Sequence, residues 1–143
     1  MTDASTALLV VDDDPGIRKQ LKWAFDAYAV QVAKDRDGAV ATHAKNPAPV
    51  VLLDLGLPPD VDGPSEGLAA LQGILSHAHH TKVVVMTGQR ERAYALKALE
   101  LGAYDYYEKP LDLGELAIIV ERAFKLAALE AEALGRFRDT GLR

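Results

Sequence analysis

Leu8-Leu9-Val10-Val11-Asp12-Asp13-Asp14-Pro15 decides the fold: four apolar residues in a row, three carboxylates, then a proline. A short Leu/Val run of this kind suits a strand buried on both faces of a parallel sheet. The aspartates end it, and the same residues open a helix, with Asp14 as cap and Pro15 at the first helical position. Ile17, Leu21, Ala24, Phe25 and Tyr28 then fall on one face of that helix, which predicts packing onto the sheet. The pattern recurs down the chain. Buried runs stand at Ala29 to Ala33, Val50 to Leu53 and Val83 to Met86, with a weaker one at Ala103 to Tyr107. Helical patterns fill the gaps near 36–45, 66–77 and 90–100 and from 112 onward, and Gly102 is a natural stop for the fourth helix. Strands alternating with helices predict an α/β fold with a five-stranded parallel sheet and five helices; if the sheet is doubly wound in the order 2-1-3-4-5, strands one and three flank the point where the order reverses.

Composition narrows the chemistry. The chain has 143 residues, 16 basic and 21 acidic, for a net charge of −5, with 49% of positions apolar. A chain of this length buries roughly 68–70% of its unfolded surface and needs no disulfide or structural metal to hold a core. Cysteine is absent, which excludes thiol chemistry, cysteine-ligated zinc and iron–sulfur clusters. The N-terminus has no basic region ahead of its five-residue apolar run at 7–11, so a signal peptide is not expected. No stretch approaches the roughly 20 apolar residues that span a bilayer. The reading is a cytoplasmic chain that does not engage a membrane. An isoelectric point near 5.3 and the lack of a basic stripe argue against nucleic-acid binding by this segment.

In an open parallel sheet, ligands bind beyond the carboxyl ends of the strands at the point where strand order reverses. The first strand ends in Asp12-Asp13-Asp14, the third in Asp54, the fourth in Thr87-Gly88, and the fifth leads through Glu108 to Lys109-Pro110. With order 2-1-3-4-5, Asp12, Asp13 and Asp54 converge, and Thr87 and Lys109 face them. Two unit charges 4 Å apart repel by about 1 kcal/mol in bulk water and about 4 at an effective dielectric near 20, so this cluster calls for cations. Lys109 is one. A hard divalent ion, Mg²⁺ or Mn²⁺, is the expected second, since it takes oxygen ligands and retains waters. A carboxylate flanked by metal, hydroxyl and ammonium is equipped for phosphoryl transfer, where positioning and charge neutralisation dominate.

The strings VVDDDP, VLLDLGLP, VVVMTGQ and YYEKPL, in this order and spacing, resemble the receiver domain of two-component response regulators, across roughly residues 7–125. The resemblance implies a flavodoxin-like (CheY-like) fold. It implies Asp54 as phospho-acceptor and Asp12, Asp13, Asp54 and the Gly56 backbone carbonyl as metal ligands. Thr87 and Tyr106 would be the switch pair, Lys109 would pair with the phosphate before a cis bond to Pro110, and Gln89 at the pocket rim would tune acyl-phosphate hydrolysis. It further implies a sensor histidine kinase as donor and a homodimer through the helix 4–strand 5–helix 5 face. Arg90, Arg92 and Lys97 on helix four, with Asp105 and Glu121, offer charge-complementary contacts for that dimer. DLGLPPDVDGPSEGL, with LKWAFDAY and GAYDYYEKP around it, is similar to the sigma-54-dependent regulators of PEP-CTERM/exosortase systems, the PrsR group. The segment between Leu57 and Leu68 is three or four residues longer than most receivers have, which leaves the shape of the third helix's entry open.

Each residue also has a plainer reading. Alone, the aspartate run would be a solvated loop, Thr87 a strand-end hydroxyl bonded to its own backbone, Lys109 a solvated lysine and Tyr106 packing. Together, at matching strand ends, they read as a site, with Asp14 kept as a cap. His77, His79 and His80 read as a solvated turn without acidic neighbours. The last helix runs past what a small domain needs, so residues 1–125 are expected to form the receiver and 126–143 an extended helix or linker to an output domain not included here. A haloacid dehalogenase-like phosphatase is the enzyme-class alternative, and an interaction module independent of phosphorylation is the third. The phosphatase wants an acid two residues after the nucleophile, and that position is Gly56. The expectation is therefore a signalling domain that catalyses only its own phosphorylation and dephosphorylation.

Overall fold

Alternation along the strands sorts the core into two halves. In the computed structural model, which describes residues 4–139, Leu9, Val11, Val51, Leu53, Val83 and Val85 point to one side of the sheet and Leu8, Val10, Val50, Leu52, Val84 and Met86 to the other. Every one of these side chains is essentially inaccessible, and burial of each contributes about 1.5–3 kcal/mol. A strand apolar on both sides demands helices on both faces.

The elements run β1 (Ala7–Val11), α1 (Pro15–Ala24), β2 (Ala29–Ala33), α2 (Arg36–Lys45), β3 (Val50–Asp54), α3 (Ser65–His77), β4 (Lys82–Thr87), α4 (Arg92–Glu100), β5 (Asp105–Glu108) and α5 (Leu113–Asp139), after a 3₁₀ turn at Ala4–Thr6. All strand pairs are parallel, in the order β2-β1-β3-β4-β5. Leu21 and Phe25 at the end of α1, with Leu116, Val120 and Ala123 of α5, cover the side to which Leu8, Val10 and Leu52 point. Ala39 of α2, Ala70, Leu71 and Ile74 of α3 and Ala98 of α4 cover the side to which Leu9, Val11 and Leu53 point. The fold is the one the buried runs and their spacing predict.

Local chemistry sets the element ends. Asp14 accepts from the Gly16 N–H at 2.8 Å and Asp35 from the Gly38 N–H at 2.7 Å, capping α1 and α2 as short acidic side chains do. β3 and β4 each run one residue further than their apolar patterns, so Asp54 and Thr87 are the last residues of their strands. α4 begins at Arg92 rather than at 90, because Gln89 and Arg90 form a turn closed by the Glu91 N–H on the Gly88 carbonyl. Arg90 is therefore not on helix four. β5 begins at Asp105 rather than Ala103, since Gly102 (φ 110°) and the Ala103 N–H, bonded to the Ala98 carbonyl, still complete the end of α4.

α5 continues unbroken across position 126, and Glu130 on it meets Lys82 at the start of β4 at 2.6 Å. Residues 140–143 of the expected linker lie outside the described residues. The longer segment after β3 contains a cis Pro58–Pro59 bond and is closed by Asp60, which accepts from the Ser65 hydroxyl at 2.6 Å. Beyond it, Gly67 lets α3 cross directly over Leu55: a Cβ there would lie 2.4 Å from the Leu55 Cα and 2.5 Å from its carbonyl oxygen. Backbone cannot yield as a side chain does. Gly67→Ala is expected to lower stability by about 1–3 kcal/mol, read as a lower urea midpoint at unchanged slope.

Candidate phosphoacceptor site

Val11 lies opposite Leu53 in the β1–β3 ladder, so Asp12 and Asp54, each one residue further, emerge side by side where those strands end. Asp12 is fully buried and Asp54 nearly so, whereas Asp13 is exposed. Carboxylate oxygens of Asp12, Asp13 and Asp54 lie within 4.8 Å of one another. From the end of β5, Lys109 reaches in: its Nζ donates to Asp12 Oδ2 at 3.2 Å and stands 3.6 Å from Asp54 Oδ1. The lysine is positioned by its own backbone, whose N–H donates to the Thr87 carbonyl at 2.7 Å, and a cis bond to Pro110 follows.

The remaining bonds fix the carboxylates. Asp12 Oδ1 accepts from the Asp14 N–H at 2.9 Å, and Arg18 Nη1 donates to the Asp12 carbonyl at 2.8 Å. Asp54 Oδ1 accepts from the Gly56 N–H at 3.2 Å. A recess of about 370 Å³ opens over these groups, lined by Asp12, Asp13, Asp54, Gly56 and Lys109 together with Val61, Gly88 and Glu91. Gly56 has no room for a side chain, since a Cβ would lie 2.6 Å from the Val61 carbonyl oxygen.

Burial and charge together set the titration. Burial first, then the charge of Asp12, pushes the Asp54 carboxyl up to about 6, against relief from Lys109 and the Gly56 N–H. Burial likewise pushes Asp12 up. For Lys109, burial disfavours the ammonium, but Asp54 and Asp12 outweigh it and the pKa rises. The ammonium thus persists through neutral pH, and one positive charge faces three carboxylates. This donor set, hard oxygens in excess of their counter-charge, fits a divalent cation.

Not every expected residue lines the recess. Thr87 is buried at the end of β4 and is not among the lining residues. Tyr106 is half-buried on β5, packed against the α3–α4 side of the core. Gln89 is exposed in the turn before α4 and does not line the recess. Glu91, two residues on, does, with its Oε2 accepting from the Gly88 N–H at 3.0 Å. On the outer face, Lys97 pairs with Glu100 at 3.8 Å and Glu121 with Lys125 at 3.2 Å, each within its own helix.

The histidines depart from a simple solvated turn. His77 Nε2 lies 3.1 Å from Nδ1 of the buried His43, whose Nε2 sits between the N–H and carbonyl of Ala48. Burial lowers the His43 pKa. His80, expected to lack acidic neighbours, has Glu130 of α5 3.8 Å away, a proximity across the fold that local sequence does not show. Among the described residues, the Asp12–Asp13–Asp54 cluster is the one group of three or more ligand-type side chains close enough to share an ion.

The response regulator receiver domain family matches residues 8–121. The chain belongs to this family. The receiver is 36% identical over 131 residues to the regulatory protein AtoC of Escherichia coli strain K12, covering 90% of this chain and 27% of that protein. It is 32% identical over 127 residues to the nitrogen assimilation regulatory protein NtrX of Azorhizobium caulinodans, covering 87% and 27%. The crystal structure of the receiver domain of NtrX from Brucella abortus superposes with a TM-score of 0.75 at 31% identity, covering 82% of this receiver and 98% of that chain. The receiver thus spans little more than a quarter of AtoC and of the Azorhizobium NtrX. No helix among its described residues is long and apolar enough to cross a membrane.

The raised Asp54 pKa has a consequence for stability. A carboxyl that holds its proton more tightly when folded contributes stability in full below its unfolded pKa of 3.8, and loses it as pH rises through about 6. Asp12, Asp13 and Lys109 are the charged groups that act on it, and Lys109 stays an ammonium throughout this window. Without divalent cation, Asp54→Asn is therefore expected to be more stable than the native protein at pH 7 by up to about 3 kcal/mol, at roughly 1.4 kcal/mol per pKa unit. The gap should close as pH falls toward 4, and thermal melts across pH 4–8 check it.

Proposed function

We propose that Asp54 accepts a phosphoryl group from the phosphohistidine of a sensor kinase. The observation that carries this reading is a buried carboxylate at a strand end, held within reach of one ammonium and two further carboxylates. Asp54 attacks the phosphorus in line, the phosphorus–nitrogen bond breaks with its electron pair going to nitrogen, and the imidazole, protonated beforehand on its other ring nitrogen, leaves as the neutral ring. Lys109 draws the developing oxygen charge and keeps Asp54 oriented. Asp12, Asp13, Asp54 and the Gly56 carbonyl would hold Mg²⁺ or Mn²⁺, which supplies Lewis-acid stabilisation of the equatorial oxygens.

The product carries new oxygens that need donors. Thr87, at the end of the strand beside Asp54, moves to meet them, and Tyr106 follows into the space it vacates. The α4–β5–α5 face then changes shape and pairs two receivers. Residues 1–125 act as the receiver, and 126–143 link it to an output domain. Support for that division comes from the regulators AtoC and NtrX, of which this chain covers little more than a quarter. The PrsR-like wording around DLGLPPDVDGPSEGL supports a sigma-54-dependent transcriptional output. Gln89, exposed in the turn after Gly88, tunes the hydrolysis of the acyl phosphate.

The phosphorylation itself is directly measurable. With Mg²⁺ and acetyl phosphate, the native protein is expected to take up one phosphoryl group per chain and Asp54→Asn none. Lys109→Ala should slow labelling by about 10²–10³, the scale of losing one preorganised charge stabiliser, and chelation should abolish it. Full labelling of Asp54→Asn would place the acceptor elsewhere.

A further inference from the structure

Glu91 is the recess residue that the phosphotransfer reading leaves without a task. It stands at the N-cap of α4, but its carboxylate does not cap that helix; it turns back and accepts from the Gly88 N–H at 3.0 Å. The two residues are locked reciprocally, because the Glu91 N–H donates to the Gly88 carbonyl at 3.1 Å. The Glu91 carbonyl in turn accepts from the Tyr94 and Ala95 N–H groups, the first turn of α4. Gly88 follows Thr87, and both Gly88 and Glu91 line the recess with Asp54 and Lys109. Beside the four aspartates that line it, a further carboxylate therefore sits at a recess already short of positive charge, on the backbone donor of a residue that lines the recess.

We propose that Glu91 is an internal competitor of the phosphoryl group: its carboxylate occupies the Gly88 N–H that an oxygen of phosphorylated Asp54 would take, so phosphorylation must expel it. The inference rests on Asp54 being the acceptor. Two anions cannot share one N–H, and a phosphoryl oxygen carries more charge than a carboxylate oxygen, so it prevails once Asp54 is modified. Before that, Glu91 keeps the donor satisfied. Because its carbonyl anchors the first turn of α4, its expulsion disturbs that turn directly, by a route independent of Thr87 and Tyr106. Glu91 acts here as a positioning residue and takes no part in bond making.

The test uses beryllofluoride with Mg²⁺ as probe of the phosphorylated state, and the amide resonance of Gly88 as a direct reporter. Glu91→Ala is expected to lower the beryllofluoride concentration at half-saturation by about tenfold, the scale of one charge-assisted hydrogen bond, with Glu91→Gln between it and the native protein. In the free Glu91→Ala protein the Gly88 amide proton should move upfield, and beryllofluoride should return it downfield. In the native protein, the Glu91 side-chain carboxyl resonance should shift on beryllofluoride binding. Unchanged or weaker beryllofluoride binding in both variants, with Mg²⁺ affinity intact, would overturn the competitor role. Weaker Mg²⁺ affinity in Glu91→Ala would overturn it too, making Glu91 a metal ligand. Failure of the native protein to bind beryllofluoride would instead overturn the assignment of Asp54.

Discussion

Three carboxylates share one ammonium at the end of a sheet that cannot move them apart. Asp12 and Asp54 leave adjacent strands, spaced roughly 4.8 Å in a parallel sheet, directly beyond the paired Val11 and Leu53. Both strands are apolar and inaccessible on both faces. Separating the carboxylates would mean breaking the ladder or opening the core on one side, either of which costs more than the repulsion it relieves. The stress can therefore be relieved by a proton on Asp54 or by a cation among the carboxylates. Proton uptake near pH 6 and divalent-ion binding are two answers to one constraint, which makes them mutually exclusive at Asp54.

Lys109 is the fixed element of that balance. Its backbone is tied to Thr87 through a 2.7 Å hydrogen bond, and the following turn is pinned by Tyr107, whose hydroxyl accepts from the Asp112 N–H at 2.6 Å just ahead of α5. The Tyr107 ring is buried against the α1–α5 side of the core, while Tyr106, its neighbour, packs on the other side. One four-residue strand thus holds the ammonium in place and gives each half of the core an aromatic.

The strands and the convergence of positions 12, 13, 54 and 109 were legible because strand ends are marked in sequence by a switch from Val and Leu to a reactive residue, whereas the strand order followed from the resemblance to receivers. Contacts made by loops and helix termini carry no such mark. Glu91 looks like an ordinary charged residue beginning a helix, and only the closed turn from Gly88 aims it inward. Val61 lies in the longer segment after β3, where the path set by two prolines cannot be read from periodicity. His43 sits among alanine, threonine and lysine on α2, and its burial arises from a partner 34 residues away on α3. Arg90 was placed on a helix because its neighbours share that helix's polarity, whereas the tight turn after β4 takes up two residues first.

The long α5 is part of the same balance of constraints, not an appendage with free direction. Lys82 begins β4 and Thr87 ends it, so the strand that presents the hydroxyl beside Asp54 also presents, at its other end, the ammonium that meets Glu130. Lys82 is only 12% exposed, so this pair is better shielded from water than a surface ion pair and holds its geometry correspondingly better. Ala127, Ala128, Ala131 and Leu134 continue the contact as one wall of an apolar groove of about 390 Å³ that also includes Ala48 and Pro49. The helix therefore leaves the sheet along a line set by packing and charge through at least Leu134. Whatever follows it in a longer chain begins from a defined direction, and a shift in β4 would be felt at both ends of that strand.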